Sequence, residues 1–136
     1  MRKFLLASHG TLARGMYDSL RIICGEQPNV DVFCAYVGEE DDISDRVRAL
    51  LDALSPRDEL IVLTDLFGGS VNNEFMRYLH LPNCALVAGM NLALLIELLH
   101  HPELAVPELV PMAVELAGSG IRWCNRLQGP AREDEF

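Results

Sequence analysis

Short apolar runs alternate with stretches of helical periodicity along almost the whole chain, and this alternation constrains the fold more than any other feature. The clearest strand is Glu59 to Thr64 (ELIVLT), which is apolar and β-branched in its middle. Further strand candidates are Lys3 to Ser8, Asp31 to Val37, Asn83 to Ala88 and, near the C-terminus, Ile121 to Asn125. The pattern predicts an α/β domain with a doubly wound, mostly parallel sheet of four strands plus the C-terminal fifth strand.

Helices are predicted between and after these strands. Proline lacks an N–H group and fits best in the first turn, so Pro107 and Pro111 place the start of the last helix near Glu108 or later. The predicted helices run from Leu12 to Ile23 with Gly25 as a stop, from Ile43 to Leu54 with Asp41 and Asp42 as caps, from Val71 to Leu79, from Asn91 as cap to His100, and from about Glu108 to Gly118.

Length and composition limit the class of protein. The 136 residues, half of them apolar, suffice for one domain with its own core, predicted over residues 1–127. The acidic residues 128–136 are predicted to be disordered. A net charge of −9 argues against nucleic acid and anionic membranes as partners.

The chain shows no targeting or metal-binding pattern. No signal peptide is evident, and the longest apolar run, Leu92 to Leu99, is too short to cross a bilayer, so a cytoplasmic protein is expected. The four cysteines lie far apart, without CxxC spacing, and are predicted to be buried thiols rather than disulfides or zinc ligands. No metal or cofactor is expected.

Two turns that directly follow predicted strands contain chemically versatile residues. Ser8-His9-Gly10-Thr11 follows the first strand, and Thr64-Asp65-Leu66-Phe67-Gly68-Gly69-Ser70 follows the third. In parallel α/β sheets, ligands bind beyond the carboxyl ends of the strands. If the first and third strands are neighbours, His9 and Asp65 should emerge at one edge within reach of each other.

A histidine, a carboxylate and a glycine turn suit phosphoryl transfer. An aspartate that accepts the Nδ1 proton would leave the Nε2 lone pair free to attack phosphorus. The backbone amides of Gly68, Gly69 and Ser70, with the positive end of the next helix, could then bind the phosphoryl group.

Each of these features also has an ordinary structural interpretation. A single histidine after a strand is often only a hydrogen-bonded turn residue, Asp65 could simply cap its turn, and glycines are common in βα turns. His80, His100 and His101 are interpreted as structural, because they fall at predicted helix C-termini.

Four segments together resemble the enzyme IIA component of mannose-type phosphoenolpyruvate-dependent sugar phosphotransferase systems, from Lys3 to about Leu127. They are SHGTLARGMYDSLRIICG from Ser8, GEQPNV from Gly25, TDLFGGSVNN from Thr64 and AGMNLALLIELL from Ala88. This resemblance implies that His9 is phosphorylated, that Asp65 orients it, and that Gly10, Gly68, Gly69 and Ser70 surround the phosphoryl group.

The resemblance also implies partners. The family's phosphoryl donor is phosphorylated HPr, and its acceptor is an enzyme IIB component that passes the group to sugar at the membrane permease (IIC and IID). The family forms homodimers with an exchanged C-terminal strand, which Ile121 to Asn125 matches.

Other functions remain open at this stage. One is the phosphotransfer subunit of a phosphoenolpyruvate-dependent dihydroxyacetone kinase, whose first domain resembles the same family. Another is a phosphate-ligand binding module without covalent chemistry, which would tolerate loss of His9. A hydrolase fits less well, because no Ser or Cys nucleophile lies at a turn beside a base.

Overall fold

The structure, a computed structural model, describes residues 1–38 and 42–127. The chain divides into two compact units, Met1–Leu92 and Ala93–Phe136, and the predicted single domain over residues 1–127 stays a prediction. The strands are β1 (Arg2–His9), β2 (Val30–Ala35), β3 (Glu59–Thr64) and β4 (Cys84–Ala88), and the helices are α1 (Leu12–Cys24), α2 (Ile43–Asp52), α3 (Ser70–Met76), α4 (Leu92–His100) and α5 (Val106–Gly118).

The first unit contains a four-stranded sheet in the order β2-β1-β3-β4, with every neighbouring pair parallel. This order confirms the predicted α/β fold and makes β1 a central strand between β2 and β3. In register, His9 lies opposite Ala35 of β2, while Ala7 lies opposite Thr64 of β3. The residues that follow β1, β2 and β3 therefore meet at one edge of the sheet.

The strands alternate in side-chain direction, and both sets of side chains are buried. One set packs with α2 and α3 in a cluster that comprises Leu5, Ala7, Phe33, Ala35, Ile43, Val47, Leu51, Leu60, Val62, Val71 and Phe75. The alternating residues Phe4, Leu6, Ile61 and Leu63 are also almost completely buried. Burial on both faces explains why these strands are continuous apolar runs instead of alternating polar ones.

Helix starts and ends follow local chemistry, with three departures from the sequence prediction. Asp42 caps α2 through a hydrogen bond from the Asp45 N–H, whereas the second predicted cap, Asp41, lies outside the described residues. The second and third helices are shorter than predicted and end at Asp52 and Met76, respectively. The start predicted near Glu108 is wrong, because α5 begins at Val106.

The helix α5 begins earlier than predicted because it accommodates both of its prolines. Pro107 occupies the first turn, where its missing N–H is not needed, and Pro111 lies in the next turn. Pro111 lies on an exposed part of the helix, so the carbonyl it leaves without an intrahelical donor belongs to a solvent-facing turn.

The predicted fifth strand is not formed within this single chain. Residues 121–123 have no regular structure, and Cys124–Arg126 forms a short 3₁₀ turn. Exchange of this segment between subunits stays a prediction. The predicted disordered tail, 128–136, lies outside the described residues. Among the described helices, none has the length and apolar character needed to cross a bilayer.

The cysteines correct one expectation. All four are free thiols, but Cys124 is exposed, and Cys24, Cys34 and Cys84 are only partly buried. Burial raises the pKa of the Cys84 thiol above its ordinary value.

Candidate active site

The adjacency of β1 and β3 brings His9 and Asp65 together, as the sequence predicts. His9 is the last residue of β1, and Asp65 follows the last residue of β3. The Oδ2 atom of Asp65 lies 2.8 Å from both the backbone nitrogen and the ring Nδ1 of His9. A single carboxylate oxygen thus holds the backbone and the ring of the same histidine.

This pair fixes the tautomer of the imidazole. An ionised carboxylate can only accept hydrogen bonds, so in the neutral ring Nδ1 carries the proton and Nε2 has the lone pair. The His9 side chain is 43% exposed, whereas that of Asp65 is 11% exposed. Nε2 therefore lies on an accessible ring, whereas the carboxylate bonded to that ring is largely shielded from water.

The same contacts perturb the ionisation of Asp65. Partial burial raises the pKa of this carboxyl, but the hydrogen bonds and charge interaction from His9 outweigh burial and lower the pKa below its ordinary value. Ionised Asp65 thus stabilises the folded protein above the carboxyl's unfolded pKa. This stabilisation is lost as the pH falls through the lower pKa of the folded state.

We expect His9→Ala to raise the pKa of Asp65, because the ring contact is lost and only the backbone N–H contact remains. The measurement is the pH dependence of the Asp65 ¹³Cγ chemical shift. Asp58, which pairs with Lys3 and the N-terminus, serves as an internal control and should titrate as in wild type. An unchanged Asp65 midpoint in the variant would contradict the assigned contact.

Ser70 lies on the other side of the ring. Its Oγ is 3.3 Å from His9 Nε2, at the start of α3. The turn before it is shaped by Gly68, whose φ of +82° is strained for residues with a side chain. The Asn73 side chain donates to the Gly68 carbonyl at 3.2 Å and holds this turn against α3.

The four predicted phosphate-binding residues differ in whether their backbone N–H groups already donate to a carbonyl. The N–H groups of Gly68 and Ser70 donate to no backbone carbonyl within the described part of the chain. Gly69 donates to Leu66 O at 3.1 Å, and Gly10 donates to Ala35 O at 2.7 Å. The prediction of three successive open amides therefore fails at Gly69, because a turn hydrogen bond occupies it. The Gly10 amide is likewise engaged, in its case by the carbonyl of the neighbouring strand β2.

Gly69 is needed for the close approach of the turn to the ring. A Cβ atom there would lie 3.1 Å from His9 Cε1 and 3.2 Å from the Leu66 carbonyl oxygen. We expect Gly69→Ala to displace the ring and to slow chemistry at His9 by about tenfold, a loss typical of a small misplacement of reacting groups.

Gly15→Ala is the matched control for this substitution. Gly15 lies inside α1 without a positive φ, and no atom comes within 4 Å of its added Cβ. This variant should increase the free energy of unfolding by roughly 0.5–1 kcal/mol. Thermal denaturation and single-turnover rates of both variants test the pair. Equal rates for Gly69→Ala and wild type would refute the steric role.

Tyr36 is a further site residue that the sequence pattern did not indicate. It directly follows β2, and its hydroxyl lies 2.8 Å from Ser70 Oγ. Its ring centroid is 5.7 Å from that of His9. Its place in the sequence could have indicated this role. Tyr36 follows β2, which is the second neighbour of β1 and has its carboxyl end at the same edge of the sheet.

The remaining histidines have other surroundings. His80 is exposed beyond α3 and stacks on Tyr78, and His100 is the last residue of α4. In the second unit, His101 contacts Glu97 and Glu103, each at 3.4 Å.

Known proteins resemble this chain along most of its length. The family model "PTS system fructose IIA component" matches residues 3–113. A proposed phosphoenolpyruvate-dependent sugar phosphotransferase system permease from Klebsiella pneumoniae is 44% identical, with a TM-score of 0.89 and 92% of both chains covered.

Two other solved structures, one from a streptococcus and one from an enterococcus, are less similar in sequence. The phosphotransferase IIA protein associated with the fucose utilization operon of Streptococcus pneumoniae is 29% identical, with a TM-score of 0.79, over 92% of this chain and 94% of the other. The mannose/sorbose specific IIA subunit from Enterococcus faecalis is 28% identical, with a TM-score of 0.77, over 96% and 98%. This chain therefore belongs to the mannose-type enzyme IIA family of phosphoenolpyruvate-dependent sugar phosphotransferase systems.

Proposed function

We propose that the protein is a phosphocarrier that accepts a phosphoryl group from phosphorylated HPr on Nε2 of His9 and passes it to an enzyme IIB component for sugar uptake. The observation that carries this proposal is the 2.8 Å contact between His9 Nδ1 and Asp65 Oδ2. It directs the lone pair of Nε2 away from the carboxylate, toward Ser70 and solvent.

The transfer step needs no added reactant. The Nε2 lone pair forms the new N–P bond while the P–N bond to the donor's histidine breaks, and that electron pair returns to the donor ring. Because one phosphohistidine replaces another, the step is close to thermoneutral and depends on positioning and electrostatics. Metal assistance is not part of the proposed step.

Charge develops at two places in this reaction. The His9 ring becomes cationic when both nitrogens are substituted, and ionised Asp65 stabilises that charge through Nδ1–H. The phosphoryl oxygens carry close to two negative charges and need donors. We assign this role to the Ser70 hydroxyl and to the amides of Gly68 and Ser70. Gly69 and Gly10 complete the walls of the site without donating.

The surroundings of His9 suit a protein partner. Phe67, in the turn beside the ring, is 78% exposed, and Leu12 and Leu66 are also exposed. Exposed apolar side chains around an accessible reactive group are typical of protein–protein contact surfaces. By contrast, a half-open cavity of about 380 Å³ is lined by residues such as Lys3, Leu5 and Asp31, and His9 is not among them.

The decisive experiment uses the purified protein with phosphoenolpyruvate, enzyme I and HPr, followed by intact-mass analysis. The proposal expects one acid-labile phosphoryl group per chain, and its loss when enzyme IIB is added. A protein that stays unmodified while HPr is fully phosphorylated would reject the carrier function. Noncovalent phosphate binding under the same conditions would then favour a phosphate-binding module.

We further propose a cytoplasmic homodimer in which the segment Ile121 to Asn125 is exchanged. In support, Ile121 and Trp123 are strongly exposed in the single chain, a poor arrangement for large apolar side chains. Sedimentation velocity that gave only the mass of a single chain would contradict the dimer.

A further inference from the structure

We propose that Tyr36 is a positioning residue for phosphoryl transfer, acting through Ser70: its phenol O–H directs the Ser70 hydroxyl proton at His9 Nε2. This inference rests on the proposed function of His9 and adds a residue to its site. Three contacts carry it, between Asp65 and His9, between His9 and Ser70, and between Ser70 and Tyr36.

The backbone places the tyrosine in an unusual way. In the described part of the chain, Tyr36 is the one non-glycine residue with a positive φ, at +64°. Side chains rarely adopt this region, and such strain concentrates at functional sites. The conformation brings the phenol against the histidine, with the two ring planes inclined at 38°.

The direction of the hydrogen bonds follows from the ionised carboxylate. In the neutral imidazole, which is the nucleophilic form, Asp65 accepts from Nδ1, so Nε2 can only accept, and Ser70 donates to it. Ser70 has a single proton, which leaves its oxygen to accept from the Tyr36 O–H at 2.8 Å. The chain of donors therefore runs from Tyr36 through Ser70 to His9.

This order matters in both states of the histidine. Before transfer, the Ser70 proton occupies the direction from which phosphorus approaches Nε2. Once the N–P bond forms, Nε2 no longer has a lone pair, and the Ser70 proton turns to a phosphoryl oxygen. The Tyr36 bond keeps that proton aimed at the reaction centre throughout, and neither hydroxyl forms or breaks a covalent bond.

A purely structural role explains the residue less well. The Tyr36 side chain remains 49% exposed, so it contributes little to the core. Its hydroxyl bond to Ser70 is also exposed, and such bonds add little to folding stability. We therefore assign to the contact between Tyr36 and Ser70 the role of orienting the Ser70 hydroxyl.

The kinetic test is a double-mutant cycle with Tyr36→Phe, Ser70→Ala and the double variant. The measured quantity is the rate of phosphoryl transfer from phosphorylated HPr. We expect Tyr36→Phe to slow transfer by about five- to tenfold, the typical range for one hydrogen bond. In the Ser70→Ala background, the same substitution should have no further effect. Tyr17→Phe, which removes a hydroxyl bonded to Glu26, is the matched control and should leave the rate unchanged.

A spectroscopic test needs no phosphoryl donor. In protein labelled with ¹⁵N-histidine, at alkaline pH where an imidazole is neutral, Tyr36→Phe and Ser70→Ala should both move the Nε2 resonance of His9 downfield. Tyr17→Phe should not. A wild-type Nε2 resonance in Tyr36→Phe, or additive rate losses in the double variant, would overturn the role of Tyr36 while leaving the carrier function standing. A wild-type protein that accepts no phosphoryl group would overturn both.

Discussion

His9→Gln is expected to lose phosphoryl transfer completely, because glutamine has no nucleophilic nitrogen to form the N–P bond. The side chain is accessible and the glutamine amide NH₂ can still donate a hydrogen bond to Asp65, so the fold should be kept. Intact-mass analysis after incubation with phosphoenolpyruvate, enzyme I and HPr measures the loss. Circular dichroism tests whether the fold is kept.

The matched control is His80→Gln, which changes an exposed histidine that stacks on Tyr78. This variant should accept one phosphoryl group, as wild type does. If His9→Gln were phosphorylated to the wild-type extent, the nucleophile would be another residue, and the proposed mechanism would be wrong.

Asp65→Asn should slow phosphoryl transfer by roughly 10²- to 10⁴-fold, the upper value being that of the corresponding change in serine proteases. The asparagine oxygen can still accept from the His9 backbone, so the fold should survive. However, the amide carries no negative charge to stabilise the cationic ring, and its NH₂ group can favour the wrong tautomer. Rapid-quench kinetics with phosphorylated HPr give the rate.

Asp58→Asn separates this effect from a general effect of charge. Asp58 precedes β3 and pairs with Lys3 and the N-terminus, and contact with Lys3 lowers the pKa of its carboxyl as well. Asp58 is therefore, like Asp65, a paired carboxylate with a lowered pKa, but it does not contact His9. The Asp58→Asn substitution should leave the rate of phosphoryl transfer unchanged. Similar rate losses in both variants would mean that Asp65 has no specific role at His9.

The sequence sufficed for the four strands of the sheet and, once β1 and β3 were assumed to be neighbours, for the pairing of His9 with Asp65. The run ELIVLT predicts β3 with its observed ends, because an apolar β-branched segment between polar turns has few alternatives. The meeting of His9 and Asp65 follows from topology, since neighbouring parallel strands such as β1 and β3 have their carboxyl ends at one edge of the sheet.

Other features depend on contacts that a linear pattern does not encode. Tyr36 joins the site through a positive φ, and nothing in the residue type indicates that conformation. The engaged amides of Gly69 and Gly10 depend on turn geometry and on strand register, respectively. The start of α5 was misplaced because Pro111 is tolerated beyond the first turn, in an exposed part of the helix.

Nuclear magnetic resonance of the phosphorylated protein shows which nitrogen of His9 forms the N–P bond, and therefore whether Nε2 is the nucleophile. In protein labelled with ¹⁵N-histidine, phosphorus–nitrogen coupling identifies which ring nitrogen bears the phosphoryl group. We predict coupling to Nε2, with Nδ1 still protonated and bonded to Asp65. Coupling to Nδ1 would contradict this prediction, because the carboxylate would then occupy the position that the phosphoryl group must take.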